Sequence, residues 1–522
     1  MTVPLLAALL LVLPFAPHLL AQEGAAASEP EQKPAEAKDE GKKDPAAKGD
    51  RPKEEKPREK TGKVRLGTAE VSYVAQTGTI PVLKEDGTVR ANVFYVYYAV
   101  TDAEGKRASA NDPSTRPITF CFNGGPGASA VWLHLGGLGP RRLDFPPEGL
   151  TASTVTRVVE NPNSILDATD LVFVDPVSTG LSRAAKGEKP EQFYGVEEDI
   201  QAAGEFVRLF TTREQRWASP KYLCGESYGV TRVAGLADYL QDKHGMYAEG
   251  LMLMSGLLSF QTISADLGND LPFVLFLPTM TATAHYHKKL GPELQPDFAR
   301  AIQESRAFAQ SEYTLALLRG GELPALQRRG IAEKLARFTG LSVEQIEDQD
   351  LRIEASFFRE MLLRKEGRII GRFDARVVSE DGDRSKLRPE FDPAYANIVG
   401  GFSSAVNAYV RGELGYESDH PYHVLTGLPW RWSSFEGRYV STEAKLAEAM
   451  KTNPRLRVLV MTGYRDLAVP EDSMRYSLAH LPLPPSRRAN ITWQHYESGH
   501  MMYLFRPDAE KLRRDLLEFI RR

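Results

Sequence analysis

Cysteine is almost missing from this chain: among 522 residues there are two, Cys121 and Cys224. Two thiols cannot build a disulfide scaffold, and without a C-x-x-C pair or a Cys/His cluster there is no zinc pattern. Charge of one sign is lacking too. The formal net charge is −4, which removes the electrostatic case for nucleic acid or an anionic membrane as a partner. Past residue 21 no apolar run is long enough to span a bilayer. No internal repeat is visible. What is there, 42% hydrophobic and 26% charged residues, is the composition of a globular protein. The length suits one large domain with insertions, or two to three smaller ones.

The first segments are set apart by composition. Residues 3–21, VPLLAALLLVLPFAPHLLA, are apolar and end at the small residue Ala21. We read 1–21 as a signal peptide, with export to a periplasmic or secreted location and no stable membrane span after cleavage. A membrane anchor is the alternative, opposed by Pro14 and Pro17. Residues 22–63 contain no aromatic residue and no Val, Ile, Leu or Met. Such a stretch cannot bury enough to offset the entropy of ordering, so it reads as a disordered, charged linker.

From Val64 the pattern becomes that of strands, with a K-E-D-G turn at 84–87. Short apolar runs follow at 117–123, 171–175, 221–224, 251–258 and 457–463, separated by helical periodicity such as that of 195–211. Buried strands alternating with helices predict an α/β fold with a mostly parallel central sheet. The stretch 261–440 differs. Its residues 294–367 are mostly helical in pattern, which predicts a helical cap inserted between a first core part (64–260) and a second (441–522). A cap so placed would sit over the strand C-termini, where ligands bind in open α/β sheets.

One stretch bears on chemistry directly: YLCGESYGVTR, 222–232. A strand-like run leads into it, and Val230, Val233, Ala237 and Leu240 follow at helical spacing. Gly225 and Gly229 flank Ser227 in the pattern G-x-S-x-G. The glycines let strand and helix approach closely while the turn pushes the hydroxyl out. A serine hydroxyl needs a base, and the base an orienting acid. In the α/β-hydrolase order the acid and then the histidine follow the serine. RVLVMTGYRDLAVP (457–470) supplies Asp466 after a strand, and WQHYESGHMMYLF (493–505) supplies His500. An oxyanion hole needs two backbone N–H groups. Tyr228, next to the nucleophile, offers one, and the glycine-rich loop NGGPGASA (123–130) offers the other.

NGGPG followed by GESYG, a G-Y-R-D loop and a late G-H resembles the serine carboxypeptidases, α/β hydrolases that release single residues from peptide C-termini. The opening hairpin 77–98 and ENPNSILDATDLVFVDPVSTGLS (160–182) share the resemblance, which runs from about 70 to 510 and is weakest in the cap. It implies a triad of Ser227, Asp466 and His500, an oxyanion hole of Gly125 and Tyr228, and a grip on the substrate carboxylate by Asn123, Gly124 and Glu226. It also implies peptide substrates with a free C-terminus, and neither a cofactor nor a metal. An ionised Glu226 would repel that carboxylate, whereas a protonated one donates a hydrogen bond. An esterase or acyltransferase with the same triad is the alternative, and a non-catalytic binding protein a third reading.

The chain departs from the family at three places. Cys121 stands where many members have tryptophan, Ala128 where cysteine is common, and Gly137 where many have a glutamate that shares a proton with the elbow glutamate. The two cysteines are expected on neighbouring strands as buried thiols. Other residues were weighed for roles. His285 and His287 form an H-x-H that reads as cap packing ahead of metal binding, and His134 reads as packing beside the glycine loop. The apolar run 271–287 either lines a side-chain pocket or cements the cap.

Overall fold

The computed structural model describes residues 56–150, 157–380, 385–432 and 435–522. The expected signal peptide and residues 22–55 of the expected linker lie outside the described residues. Backbone pairing starts before the linker's expected end at 63. Strand β1 (Arg58–Leu66) pairs antiparallel with β2 (Ala69–Leu83), Arg58 opposite Thr77. Its first four side chains are exposed. Ladder hydrogen bonds hold it there without apolar side chains, so composition could not mark its beginning.

The chain returns through Lys84–Thr88 into β3 (Val89–Val100). In this turn Lys84 N–H bonds Thr88 O at 2.8 Å and Gly87 N–H bonds Lys84 O at 3.0 Å. Apart from the two-residue strand Arg183–Ala184, which pairs with β3, the remaining strands of the sheet are β4 (Ile118–Phe122), β5 (Asp170–Val174), β6 (Lys221–Glu226), β7 (Gly250–Met254), β8 (Arg457–Gly463) and β9 (Ile491–Tyr496). Their order across the sheet is β1-β2-β3-β5-β4-β6-β7-β8-β9. The first three pair antiparallel, and every neighbour pair from β5 to β9 is parallel. Every residue of β4, β5 and β7 is buried, because both faces of the sheet are covered. That is why these strands read as unbroken apolar runs.

Helices α1 (Val196–Arg213) and α2 (Tyr228–His244) cover one face, packing Phe206 and Val233 with Leu223 and Val458. Trp132, Phe402 and Leu516 cover the other, against Cys224 and Met252. This is the α/β-hydrolase architecture.

Between β7 and β8 the chain leaves the sheet. Helix α3 (Leu271–Tyr286), which carries the apolar run noted above, is the spine of a separate apolar cluster with Phe308, Leu335 and Phe358. Packing divides this stretch. Helix Pro393–Asn407 instead buries Ile398, Phe402 and Val406 in the cluster that covers the sheet. Ion pairs tie the α3 cluster to the core: Arg306 of helix Phe298–Phe308 meets Asp472 at 2.6 Å and Glu471 at 3.3 Å on helix Glu471–His480. No helix of the described residues is long and apolar enough to cross a membrane.

Candidate active site

Strand β6 ends at Glu226 and α2 begins at Tyr228, so Ser227 alone makes the turn between them. Its backbone sits at φ 60°, ψ −129°, a conformation that costs a non-glycine residue on the order of 1–3 kcal/mol. Two backbone bonds hold it there: Ser227 N–H to Met254 O at 3.0 Å, and Val230 N–H to Ser227 O at 2.9 Å. A Cβ at Gly225 would fall 2.3 Å from Gly229 O, which explains the flanking glycines. The predicted elbow is present, with Ser227 partly exposed at its tip.

Asp466 and His500 arrive from the loops after β8 and β9. His500 Nδ1 and Asp466 Oδ2 are 2.7 Å apart, and both side chains are buried. Asp466 Oδ1 accepts the N–H groups of Ala468 and Val469 at 2.8 and 2.9 Å. With both oxygens engaged the carboxylate is held against rotation, and it holds the imidazole by Nδ1, an arrangement in which Nε2 could take part in proton transfer. Burial pulls the His500 pKa down, but the charge and hydrogen bond of Asp466 outweigh it, with help from Glu226, and the net shift is upward. His500 is held from the other side by the insertion. Its N–H bonds Phe373 O at 2.6 Å, and its ring stacks on Phe373 at 5.0 Å and 16°. Below it, Asp508 accepts Ser498 N–H at 2.8 Å and so fixes the loop that carries His500.

The glycine loop after β4 lies against the elbow. A Cβ on Gly124 would be 2.4 Å from Tyr228 N, so only glycine allows the approach that sets the loop beside the Tyr228 N–H. Two buried acids brace this arrangement. Asp175 accepts Ala130 N–H at 2.9 Å and Tyr422 O–H at 3.2 Å; burial raises its pKa to about 6. Asp199 pairs with Arg232 at 2.8 Å, and Arg232 Nη1 donates to Asn123 O at 2.5 Å. The Asn123 side chain accepts Leu133 N–H at 3.0 Å through Oδ1 and also hydrogen bonds Glu226.

Glu226 is buried one residue before Ser227. Burial raises its pKa to about 7, against the lowering effects of His500, Tyr503 and Asn123; the Asp466 charge adds to the rise. Tyr503 O–H donates to Glu226 Oε2 at 2.7 Å. Beneath the site Cys121 and Cys224 lie opposite each other on β4 and β6, as free, buried thiols. Burial, with Cys224 alongside, pushes the Cys121 thiol well above its usual range.

The other histidines are engaged elsewhere. His134 Nε2 is 2.7 Å from Tyr98 O–H, its ring stacks on Phe173, and burial lowers its pKa to about 3, so it packs as a neutral ring. His287 Nε2 bonds Ala375 O at 2.7 Å, and His285 meets the edge of Phe298. Sequence reasoning passed over Asp175, Arg232, Asp199, Phe373, Tyr503 and Asp508. Asp175, Arg232 and Tyr503 lie inside the quoted stretches 160–182, 222–232 and 493–505, but nothing in those stretches marks their partners; Asp199, Phe373 and Asp508 carry no local signal.

Residues 78–269 match the family model described as serine carboxypeptidase. Over this segment the chain is similar to the serine carboxypeptidases. The segment includes N-G-G-P-G and G-E-S-Y-G, while Asp466 and His500 lie beyond it. The chain is 29% identical over 160 residues to serine carboxypeptidase S10 family member 1 of Dictyostelium discoideum, covering 30% of this chain and 33% of that protein. It is 28% identical over 188 residues to the lysosomal protective protein of Mus musculus, covering 36% and 35%. The chain thus spans about a third of the length of the curated relatives it matches. Among solved structures it is similar to the prohormone-processing carboxypeptidase Kex1 of Saccharomyces cerevisiae, at 16% identity and TM-score 0.49, over 86% of this chain and 91% of that one.

Proposed function

We propose that this protein is an exported serine carboxypeptidase. Ser227 Oγ attacks the carbonyl of the last peptide bond as His500 Nε2 takes its proton. Asp466 orients the ring and balances the imidazolium. The N–H groups of Gly125 and Tyr228 hold the oxyanion. The imidazolium returns its proton to the departing amino group, which leaves an ester on Ser227. Water, deprotonated by His500, then releases the shortened peptide. Asn123, Gly124 and Glu226 hold the terminal carboxylate, with Glu226 as a protonated donor. The observation that carries this reading is the buried 2.7 Å Asp466–His500 pair, whose charges act on Glu226, the buried carboxyl that immediately precedes the elbow serine and whose pKa burial raises to about 7. The productive form has the proton on Glu226 and a neutral His500, so the two titrate as a coupled set. Export rests on the apolar segment 3–21, and the lysosomal name of one relative accords with it.

The test is a mass-spectrometric time course on peptides with free or amidated C-termini, at about pH 5 and about pH 8. Stepwise loss from free ends alone, abolished in Ser227→Ala, is expected. Equal loss from both kinds of peptide, or turnover of esters only, would replace this reading with an esterase or acyltransferase.

A further inference from the structure

Tyr503 is three residues past His500 and buried, with its hydroxyl against the Glu226 carboxyl. Its ring fills a slot in the wall made by the π-helical turn Trp132–Leu138. The slot exists because two consecutive residues there are glycine. A Cβ on Gly136 would lie 2.5 Å from the Tyr503 ring, and one on Gly137 2.9 Å from it. Gly137 is the place where the family resemblance calls for a second carboxyl. Here the space beside Glu226 is taken by a phenol instead.

The exchange changes the hydrogen-bond logic. Two carboxyls can share one proton, with either oxygen as donor. A tyrosine hydroxyl brings its own hydrogen, and burial holds Tyr503 well above the usual phenol range, so it stays a donor. A buried donor is costly to leave unpaired, so the hydrogen goes to the carboxyl oxygen 2.7 Å away. We infer that Tyr503 is the positioning residue of the carboxylate grip: by occupying Oε2 of Glu226 as an acceptor it places the Glu226 proton on Oε1, the oxygen left to meet a substrate carboxylate. This rests on the reading of Glu226 under Proposed function.

The groups that face this pair define its pH response. Glu226 is faced by His500 and Asp466 from the loops after β9 and β8, by Asn123 from the glycine loop, and by Tyr503. Tyr503 is faced by Glu226 and by Cys224, which pairs with Cys121. His500 and Asp466 act on every substrate. Dividing kcat/KM for a free-acid peptide by that for its amide therefore isolates the carboxylate grip.

The experiment measures that ratio from about pH 5 to about pH 9 for the wild type, Tyr503→Phe, Gly137→Ala and Glu226→Gln, with Tm recorded for each. In the wild type the ratio falls as Glu226 loses its proton. Tyr503→Phe removes a donor that favours the ionised form, so the fall moves up by about one pH unit, through KM rather than kcat. Gly137→Ala displaces the ring while keeping the hydroxyl, and moves the fall in the same direction by less. Glu226→Gln flattens it. A profile for Tyr503→Phe that overlays the wild type, at an unchanged Tm and with Glu226→Gln flat, overturns the inference and leaves the carboxylate grip standing. Should Tyr503→Phe fail to fold, Gly137→Ala decides in the same way. A pH fall that persists in Glu226→Gln removes the grip itself.

Discussion

Glu226 and Glu471 are buried to almost the same degree, 4% and 3% exposed, and each interacts with a histidine; yet one titrates near 7 and the other near 2. Burial raises both. Around Glu471 it is outweighed by His495 at 3.1 Å and by the guanidinium groups of Arg475 and Arg306. Around Glu226 the largest influences besides burial are His500, two neutral hydrogen-bond donors and the adverse charge of Asp466. The same contrast separates the histidines. His495 Nε2 lies between Glu471 and Arg475, at 3.1 and 3.0 Å, so that nitrogen is taken. His500 gives Nδ1 to Asp466, which leaves Nε2 for the proton transfer proposed above. A histidine–carboxylate pair is therefore no sign of catalysis by itself; His495 meets its carboxylate through Nε2 and shares that nitrogen with an arginine, whereas His500 meets its own through Nδ1.

The largest way to break this comparison is at the histidines. His500→Gln is expected to lower kcat about a million-fold, the scale seen when a triad base is removed. His495→Gln should stay within about threefold, because its ring supports an ion network and no bond-making step. The check is initial-rate kinetics on one free-acid peptide. Comparable losses in both variants would dissolve the distinction drawn here.

Next in size is stability, where the two glutamates should respond to pH with opposite signs. Glu471 has a folded pKa below its ordinary 4.5, so its stabilisation is full above about 4.5 and fades as pH falls toward about 2. Glu226 has a folded pKa above 4.5, so the fold carries no cost from it below about 4.5 and loses stability as pH rises toward about 7. Both changes are on the order of 3 kcal/mol. Glu471→Gln should therefore lower the urea midpoint at neutral pH. Glu226→Gln should raise it at about pH 8 and leave it unchanged at about pH 4. Midpoints shifting in the same direction at about pH 8 would show that burial, and not the neighbouring charges, rules both sites.

How far the sequence could foretell all this depends on how local each signal is. The elbow was legible because Gly225, Ser227 and Gly229 are fixed by one turn between a strand and a helix. β4, β5 and β7 were legible because burial on both faces leaves an unbroken apolar run. The start of β1 was not, since backbone hydrogen bonds hold its exposed residues and composition says nothing about them. Nor was Tyr503: its partner Glu226 lies 277 residues earlier, and only the fold brings the slot at Gly136 and Gly137 to meet them. Gly137 itself could be read as a lost carboxyl, but not as room made for a ring. Phe373 comes from the insertion, whose sequence has no motif to say which of its loops reaches His500.

That last contact gives the smallest and sharpest version of the comparison. Both histidines have aromatic rings stacked on them: Phe373 on His500 at 5.0 Å and 16°, Tyr464 and Trp493 on His495 at 5.5 Å and 13° and at 6.2 Å and 11°. Removing Phe373 or Trp493 costs about 1 kcal/mol of aromatic contact. The cost should surface in different observables. Phe373→Leu loosens the ring that the proposed mechanism needs held with Nε2 toward Ser227, so kcat falls about fivefold while Tm changes little. Trp493→Leu leaves kcat alone and lowers Tm, because Trp493 also carries the Arg475 guanidinium at 4.8 Å and that arginine belongs to the network that binds the insertion helix to the core. If both variants lose stability and neither loses turnover, Phe373 packs the insertion onto the core and the orientation of His500 is set by Asp466 and the Asp508-braced loop without it.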